Sequence, residues 1–391
     1  LHNQNINVKG YQHGDDLTVV SWLPQYHDMG LIGNILLAVY TGRPVILMSP
    51  MAFLQKPVRW LQAISKYKAT ASGAPNFAYE LCLRKVKDED LAQLDLSTWD
   101  FIYNGAEFIR TSTIERFYER FKVCGLQKQP ICPIYGLAES TLIVTAADKH
   151  ALYKSAYIDS ESLHRGKIEL LDDVAENAGK GRWMTGCGTP LNQDVRVVNP
   201  ETLRQCGELS VGEIWVSGGS VCQGYWGRPE TTEEAFRAYT SDSHEGPFLR
   251  TGDLGFIKEG ELYITGRHKE VIILDGRNLY PQDIEDVIQK DRPQLRKGCG
   301  AAFSIDEDDL ERLVLVQEMS RGVELSEEEY DNLAKAIRAD VLEVFGVNLY
   351  GLVCIKQGTF LKTSSGKIRR RAMREKLLHK KLKELYRSIS D

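Results

Sequence analysis

The sequence lacks the features that mark membrane-spanning, secreted and metal-stabilised proteins. Its 391 residues contain no run of about 18 apolar residues, the length that predicts a transmembrane helix. The opening residues LHNQNINVKG show no signal-peptide pattern. The eight cysteines form neither a CxxC pair nor a Cys/His cluster at zinc-ligand spacing. We therefore expect reduced thiols in a cytoplasmic protein.

Charge is unevenly distributed along the chain. The formal net charge is -5, yet residues 367–387 hold ten basic and two acidic residues. That local balance of +8 leaves -13 for the rest of the sequence. The basic segment is compatible with binding to a phosphate backbone, and equally with the solvated face of a C-terminal helix.

The chain is too long for one compact core, so we expect two or three domains. Strand-like segments such as LTVVSWLP and GRPVILMSP come early, and Val58, Leu61 and Ile64 recur at helical spacing. FIYNGAE and PICPIYGLAES each read as a strand, a glycine turn and the start of a helix. This alternation predicts a parallel α/β layer over residues 1 to about 145.

Two further regions follow. Residues 183–268 are strand-rich, with a hairpin predicted around Glu259 and Gly260. From residue 269 onward, a helix begins near Pro281, and a longer one runs from a capping box at Ser326 and Glu329 to Phe345. We predict an α/β fold in three parts: 1–182 as the α/β part of a large domain, 183–268 as a β-rich subdomain, and 269–391 as a small, mobile α+β domain.

The segment KTSSGKIRRR, residues 362–371, allows three interpretations. A phosphate-binding P-loop needs a glycine five residues before the GK pair, and Leu361 stands there instead. A nucleic-acid patch competes with an amphipathic helix, because apolar residues recur at helical spacing: Met373, Leu377, Leu378, Leu382 and Leu385. The third interpretation is a loop that carries one important lysine, Lys367.

Four other segments could supply partners for that lysine: YNGAEFIR (103–110), YGLAEST (135–141), RTGDLG (250–255) and TGRHKE (265–270). A glycine turn between a strand and a helix lets a ligand approach the backbone closely. An aspartate between glycines can accept two hydroxyl hydrogen bonds from a ribose. Taken singly, each segment is also an ordinary turn or a charged linker.

Taken together, these segments resemble the superfamily of adenylate-forming enzymes, which includes acyl-CoA synthetases, peptide-synthetase adenylation domains and luciferases. The resemblance covers nearly the whole chain. SWLPQYHDMGLIG, GEIWVSGGSVCQGYWGRPETT, FLRTGDLGF and GRNLYPQDIE are most similar to fatty acyl-AMP ligases. The connection between Gly136 and Cys187 is long, and residues 148–182 could hold the insertion that marks those ligases.

The resemblance implies that a fatty acid and ATP give acyl-AMP and pyrophosphate, with Mg²⁺. The acyl group then passes to the phosphopantetheine thiol of an acyl carrier protein or of a polyketide or peptide synthase carrier domain. No nucleic acid and no transmembrane segment is expected. The implied site residues are catalytic Lys367 and His27, nucleotide-binding Gly105, Ala106, Tyr135, Gly136, Asp253 and Arg267, metal-binding Glu139, hinge Lys269, and Gly73 and Ala74 in the acyl pocket.

The sequence departs from the family pattern in two places. Ala138 stands where a threonine usually precedes the glutamate. The Ser/Thr/Gly-rich phosphate loop that should precede His27 is absent from residues 1–28, so we expect an N-terminally incomplete large domain. An acyl-CoA ligase, and a non-catalytic fragment that binds nucleotide or acyl chain, remain as alternatives.

The basic segment carries one further hypothesis. Carrier proteins are generally acidic, so Arg369, Arg370, Arg371 and the segment that follows them could steer a carrier protein electrostatically.

Overall fold

The computed structural model describes residues 1–11, 13–177, 179–274, 277–307, 310–363 and 366–389. It divides the chain into two compact units, Leu1–Thr265 and Gly266–Asp391. No helix among the described residues is both long and apolar enough to cross a bilayer.

The described residues of the first unit include thirteen strands, the last of which ends two residues beyond the unit. In chain order they are β1 (Val19–Ser21), β2 (Val45–Leu47), β3 (Ala71–Ala74), β4 (Phe101–Asn104), β5 (Ile131–Gly136), β6 (Ile143–Ala146), β7 (Ser155–Asp159), β8 (Gly181–Thr185), β9 (Thr189–Pro190), β10 (Asp194–Val198), β11 (Gly212–Ser217), β12 (Leu249–Lys258) and β13 (Glu261–Arg267).

The α-helices of this unit are mostly short. They are α1 (His2–Gly10), α2 (Asp28–Gly30), α3 (Leu37–Thr41), α4 (Pro50–Gln55), α5 (Val58–Tyr67), α6 (Asn76–Lys85), α7 (Asp88–Leu91), α8 (Thr111–Phe121), α9 (Ser160–His164) and α10 (Pro229–Phe236). A π-helix, Leu31–Leu36, joins α2 to α3.

Seven strands form the main sheet in the order β2-β1-β3-β4-β5-β6-β9. Neighbours from β2 to β5 are parallel, whereas β6 runs antiparallel to both β5 and β9. The predicted α/β class is therefore confirmed. Because parallel strands end at one edge of a sheet, the residues after β3, β4 and β5 meet there.

Apolar faces of the helices cover this sheet. Helix α5 buries Val58, Leu61 and Ile64, as their spacing predicts. It also buries Trp60, whose indole nitrogen donates to the Ser72 hydroxyl oxygen at 2.8 Å. A hydrogen bond satisfies the one polar atom of this large side chain, so its burial is favourable.

Strands β10 to β13 form a four-stranded sheet in residues 194–267, inside the strand-rich region that the sequence predicts. Strands β12 and β13 make the predicted hairpin, and Glu259 and Gly260 both have positive φ, as a tight hairpin turn requires. The long connection after β6 folds into the β7–β8 antiparallel pair together with α9.

The described residues of the second unit form a four-stranded sheet, a two-stranded sheet and three α-helices. Its remaining strands are β14 (Ile272–Leu274), β15 (Arg277–Leu279), β16 (Leu295–Glu307), β17 (Leu310–Met319), β18 (Leu349–Ile355) and β19 (Glu384–Ile389), and its helices are α11 (Pro281–Gln289), α12 (Glu327–Phe345) and α13 (Arg370–Leu378). Sheet order is β16-β17-β18-β19. Helix α12 begins with the predicted capping box of Ser326 and Glu329, and α11 begins at Pro281, as expected.

Two sequence expectations are wrong at the level of elements. Residues Ala138–Ser140 form a single 3₁₀ turn before β6, not the start of a longer helix. The C-terminal helix ends at Leu378, and the region of Leu385 belongs to β19, which pairs with β18. Lys380 adopts positive φ and so breaks the helical path, while the Tyr386 ring stacks on Tyr330 at 4.9 Å between centroids.

Candidate active site

A buried hydrogen bond joins two of the predicted nucleotide-binding residues. The Tyr135 hydroxyl at the end of β5 donates to Asp253 Oδ2 at 2.9 Å, across 118 positions of sequence. Both side chains are buried. An aromatic ring from β5 and a carboxylate from β12 thus lie side by side, where they join the main sheet to the four-stranded sheet.

The irregular part of β12 that carries Asp253 is held by a residue that the sequence analysis missed. Glu213 on β11 is 3% exposed and accepts hydrogen bonds from Arg250 Nε at 2.9 Å and Gly252 N at 3.1 Å. Gly252 has φ +71, a conformation that favours glycine. The only signal in the sequence was an acidic residue inside an otherwise apolar strand, GEIWVS.

The predicted glycines lie where two backbones approach each other. A Cβ on Gly136 would sit 1.9 Å from the Leu142 carbonyl oxygen, and one on Gly105 would lie 2.6 Å from Ile134 Cγ1. Ala106 follows with φ +69, uncommon for a residue with a side chain. Packing within the sheet accounts for both glycines, and the same close packing leaves the backbone of 105–106 beside the strand that carries Tyr135.

Glu139 is half-buried in the 3₁₀ turn after β5. Its Oε1 accepts a hydrogen bond from the Tyr225 hydroxyl at 2.8 Å, and its carbonyl oxygen accepts one from Cys222 N at 2.8 Å. Among the described residues, no group of three or more His, Cys, Asp or Glu side chains could hold a metal. Magnesium suits such a site, since it commonly binds one or two carboxylates together with phosphate oxygens and water.

His27 caps the short helix α2. Its Nδ1 lies 3.3 Å from the backbone nitrogen of Met29 and 2.6 Å from Asp28 Oδ1, and the side chain is partly exposed. These contacts fix the orientation of the ring at the start of α2, which leads into the π-helix.

An apolar cavity of about 30 Å³ lies beneath that π-helix. Its walls include Met29, Gly33, Asn34 and Tyr103. The Tyr103 hydroxyl donates to Asn34 Oδ1 at 2.9 Å, and Asn34 Nδ2 donates to the Met29 carbonyl at 2.7 Å. This volume suits about one water molecule.

Gly73 and Ala74, predicted for the acyl pocket, lie on β3 and are not among the residues that line this cavity. A Cβ on Gly73 would lie 2.1 Å from the Tyr103 carbonyl oxygen. The space beside Gly73 is thus filled by the neighbouring strand, and the acyl-pocket role of both residues stays a prediction.

The second unit carries Lys367 on a hairpin-like loop. Thr363 N donates to the Lys367 carbonyl at 2.8 Å, and Lys367 N donates to Thr363 Oγ1 at 3.0 Å. Gly366 has φ +89, so the glycine of the motif permits the turn. Ser364 and Ser365 of the same motif lie outside the described residues. Arg267 and Lys269 are both exposed near the start of this unit.

The cysteines are poor nucleophiles where they are buried. All eight are free thiols. Burial raises the pKa of Cys187 and that of Cys354 to about 12 each. Because the thiolate is the reactive form, these side chains stay inert near neutral pH.

Comparison with known families gives two matches. The family model described as AMP-binding enzyme matches residues 1–226. The model described as the Disco-interacting protein 2-like AMP domain matches residues 269–387.

Two curated relatives carry related names. Medium-chain-fatty-acid–[acyl-carrier-protein] ligase JamA of Moorena producens (strain JHB) is 42% identical over 379 residues, covering 97% of this chain and 64% of the relative. TtuA of Teredinibacter turnerae (strain ATCC 39867 / T7901) has the same description and is 37% identical. The match covers 100% of this chain and 61% of TtuA. The chain therefore spans less than two thirds of the length of these relatives.

Solved structures agree with the fold. A fatty acid AMP ligase from Legionella pneumophila is 40% identical with a TM-score of 0.68, covering 99% of this chain and 67% of that one. A structure from work on fatty acyl-adenylate ligases of E. coli and L. pneumophila is 33% identical with a TM-score of 0.85, covering 96% and 64%.

Proposed function

Because this chain belongs to the AMP-binding enzyme family, we propose that it activates a fatty acid with ATP and passes the acyl group to a carrier-protein thiol. In the first step a carboxylate oxygen attacks the α-phosphorus of ATP, the bond to the β-phosphate oxygen breaks, and acyl-AMP and pyrophosphate result. In the second step the thiol replaces AMP. The observation that carries the proposal is the hydrogen-bonded pair of Tyr135, at the carboxyl end of β5, and Asp253 on β12.

The nucleotide would be held by that pair and by the backbone beside it. Adenine stacks on the Tyr135 ring, with Gly105 and Ala106 along its edge and Gly136 next to the ring. Asp253 accepts hydrogen bonds from the ribose hydroxyls, and Arg267 assists. Support comes from the backbone beside Asp253 in β12, which Glu213 holds in place before any ligand arrives.

The chemical difficulty of the first step is that one anion attacks another. Two unit charges 4 Å apart interact by about 4 kcal/mol at an effective dielectric constant near 20. A cation that contacts both carboxylate and α-phosphate oxygens offsets this repulsion and stabilises the pentavalent transition state. We assign that role to Lys367, with Lys269 as the hinge of its unit and His27 near the acyl carboxylate.

Glu139 would hold Mg²⁺. Its carboxylate is oriented by Tyr225, and the metal would supply charge neutralisation at the phosphates. One protein carboxylate is enough for such a site, because phosphate oxygens and water supply the other ligands of the magnesium ion.

Carrier protein is the proposed acceptor rather than coenzyme A. The names of the relatives JamA and TtuA favour an acyl carrier protein. The long connection after β6, folded into the β7–β8 pair, agrees with the fatty acyl-AMP ligase branch.

A cytoplasmic location is part of the same proposal. The eight free thiols support it, because disulfides form mainly in oxidising compartments.

The test combines the chain with ATP, Mg²⁺ and octanoate, and measures octanoyl-AMP and pyrophosphate. We expect both products from the wild-type chain, and loss of at least about a hundredfold in rate for Lys367→Ala. Holo carrier protein and coenzyme A are then supplied separately. Efficient release of octanoyl-CoA would favour the acyl-CoA ligase alternative, and ATP binding without either product would favour the non-catalytic alternative.

A further inference from the structure

A half-buried arginine lies three residues after Lys367. Arg370, the first residue of α13, donates from Nε and Nη2 to the two carboxylate oxygens of Glu285, at 2.7 Å each. Its Nη1 donates to Glu270 Oε2 at 2.6 Å. The Arg370 side chain is 15% exposed, and Glu285 is buried. One guanidinium therefore joins the end of the Lys367 loop to α11 and to Glu270, the neighbour of Lys269.

The other end of the same loop is held by a second buried carboxylate. Glu318 on β17 is fully buried, and its Oε2 accepts hydrogen bonds from Phe360 N at 2.8 Å and Thr359 N at 3.1 Å. Its Oε1 pairs with Arg296. Backbone donors and an arginine thus satisfy this carboxylate, which offsets the cost of burying it.

Between these two ends the loop closes on itself. Arg369 N donates to the Leu361 carbonyl at 3.1 Å, and Lys362 pairs with Ile368 in an antiparallel bridge. The two arms are thereby held together directly below the turn that bears Lys367. Motion of the loop relative to its own unit requires the loss of charge-assisted hydrogen bonds at one end or the other.

We propose that Arg370 and Glu318 are positioning residues that hold the Lys367 loop rigid within its unit, with Arg370 fixing it to the segment of Glu270. The inference rests on the proposed function, in which Lys367 acts in adenylation. Neither residue touches substrate. Their contribution is to keep the lysine ammonium within the small distance range that phosphoryl transfer demands.

Lysine cannot replace arginine in this network. A guanidinium presents planar donors that bind one carboxylate with two hydrogen bonds and still reach a second, whereas an ammonium is a compact point charge. Arg370→Lys therefore keeps the positive charge and removes the planar set of donors that binds both carboxylates. Arg292 is the matched control: its side chain is 14% exposed and pairs with Asp340 at 2.8 Å, elsewhere in the same unit.

The first measurement is amide hydrogen exchange of residues 361–369 in the full chain, which needs no activity. We expect exchange at Lys367 and Arg369 to quicken by about tenfold in Arg370→Lys and in Glu318→Gln, and to stay unchanged in Arg292→Lys. A thermal melt of each variant checks that the unit is folded. If exchange in the loop is the same in all three variants, the proposal is wrong.

The second measurement separates the two half-reactions. In Arg370→Lys, kcat for octanoyl-AMP formation should fall about tenfold with little change in KM for ATP, because the loss lies in the transition state. Transfer from supplied octanoyl-AMP should be retained. Equal losses in both half-reactions would point to general damage and overturn the proposal. A wild-type chain that forms no adenylate contradicts the proposed function, and hydrogen exchange then decides this inference alone.

Discussion

The Tyr225 hydroxyl donates a hydrogen bond to Glu139 Oε1 at 2.8 Å, and so an exposed loop orients the carboxylate assigned to Mg²⁺. The two residues lie 86 positions apart. Tyr225 is 38% exposed, so its contribution to stability is expected to be small.

Tyr225→Phe should therefore affect metal use more than folding. We expect the Mg²⁺ concentration needed for half-maximal adenylation to rise about threefold to tenfold, since partners of a metal ligand tune affinity by about this much or more. The melting temperature should change by less than about 2 °C. Tyr239→Phe, at another exposed tyrosine, serves as control. An unchanged Mg²⁺ titration would exclude the orienting role of Tyr225.

Asp253→Asn should weaken nucleotide binding. A hydrogen bond that involves a charged group contributes about 1.5–3 kcal/mol, which corresponds to roughly a tenfold to hundredfold loss in affinity. Isothermal titration of AMP measures it directly. Tyr135→Phe keeps the ring and removes the hydroxyl, so its loss should be smaller. If Asp253→Asn binds AMP as tightly as wild type, the ribose assignment is wrong.

Gly136→Ala tests the packing of the sheet edge. The added Cβ would lie 1.9 Å from a backbone oxygen, so strands β5 and β6 must shift. We expect destabilisation by about 3 kcal/mol or more, measured by urea unfolding. Gly207→Ala is the control, because its Cβ would have no atom within 4 Å among the described residues other than Gly207 and its two chain neighbours. Equal stability of the two variants would contradict the close approach.

Stability should fall in mild acid through His13. Burial, aided by the nearby Lys149 charge, lowers the pKa of His13 from 6.5 to about 4. Between those values the unfolded chain binds a proton that the folded chain does not, so the free energy of unfolding falls as pH drops from about 6.5 to 4. His13→Gln should lose about 2 kcal/mol of this pH dependence in denaturant titrations. A pH dependence identical to that of wild type would rule out this origin.

The exposed lysines after α13 should influence carrier transfer. Lys380 and Lys381 are exposed and lie in the basic segment. Reversing both to glutamate should lower kcat/KM for an acidic carrier protein about tenfold at low salt, with little change at high salt, while octanoyl-AMP formation is unaffected. Transfer rates that change neither with salt concentration nor with the charge reversal would refute electrostatic steering.

Local sequence signals predicted much of the fold. Turn chemistry located the hairpin at Glu259 and Gly260, and capping located α12. Both predictions succeed because a hairpin turn and a helix cap are formed by residues only a few positions apart in the sequence. The end of α13 was mispredicted, since the apolar spacing continues past Leu378 and only pairing with β18 decides that residues 384–389 form a strand.

The supporting partners of the site were not predictable in the same way. Glu213 lies 37 positions before Arg250, and Glu285 lies 85 before Arg370. The local sequence pattern of a strand or helix does not indicate which distant charged residue will pair with a buried one. Residues expected to touch ligand were suggested by short motifs, whereas the residues that orient them became visible only in three dimensions.

The number of residues in the π-helix Leu31–Leu36 affects which side chains line the space beneath it. A π turn accommodates one more residue than an α turn, so the π-helix holds more residues per turn than the α-helices on either side of it. Deleting one residue there would rotate the helical residues that follow, as far as the end of α3, by about 100° relative to those before it. Asn34, which now bonds Tyr103, would give up its place to a neighbour. The lining of the space beneath this helix therefore depends on the number of residues in the π-helix as well as on their identity.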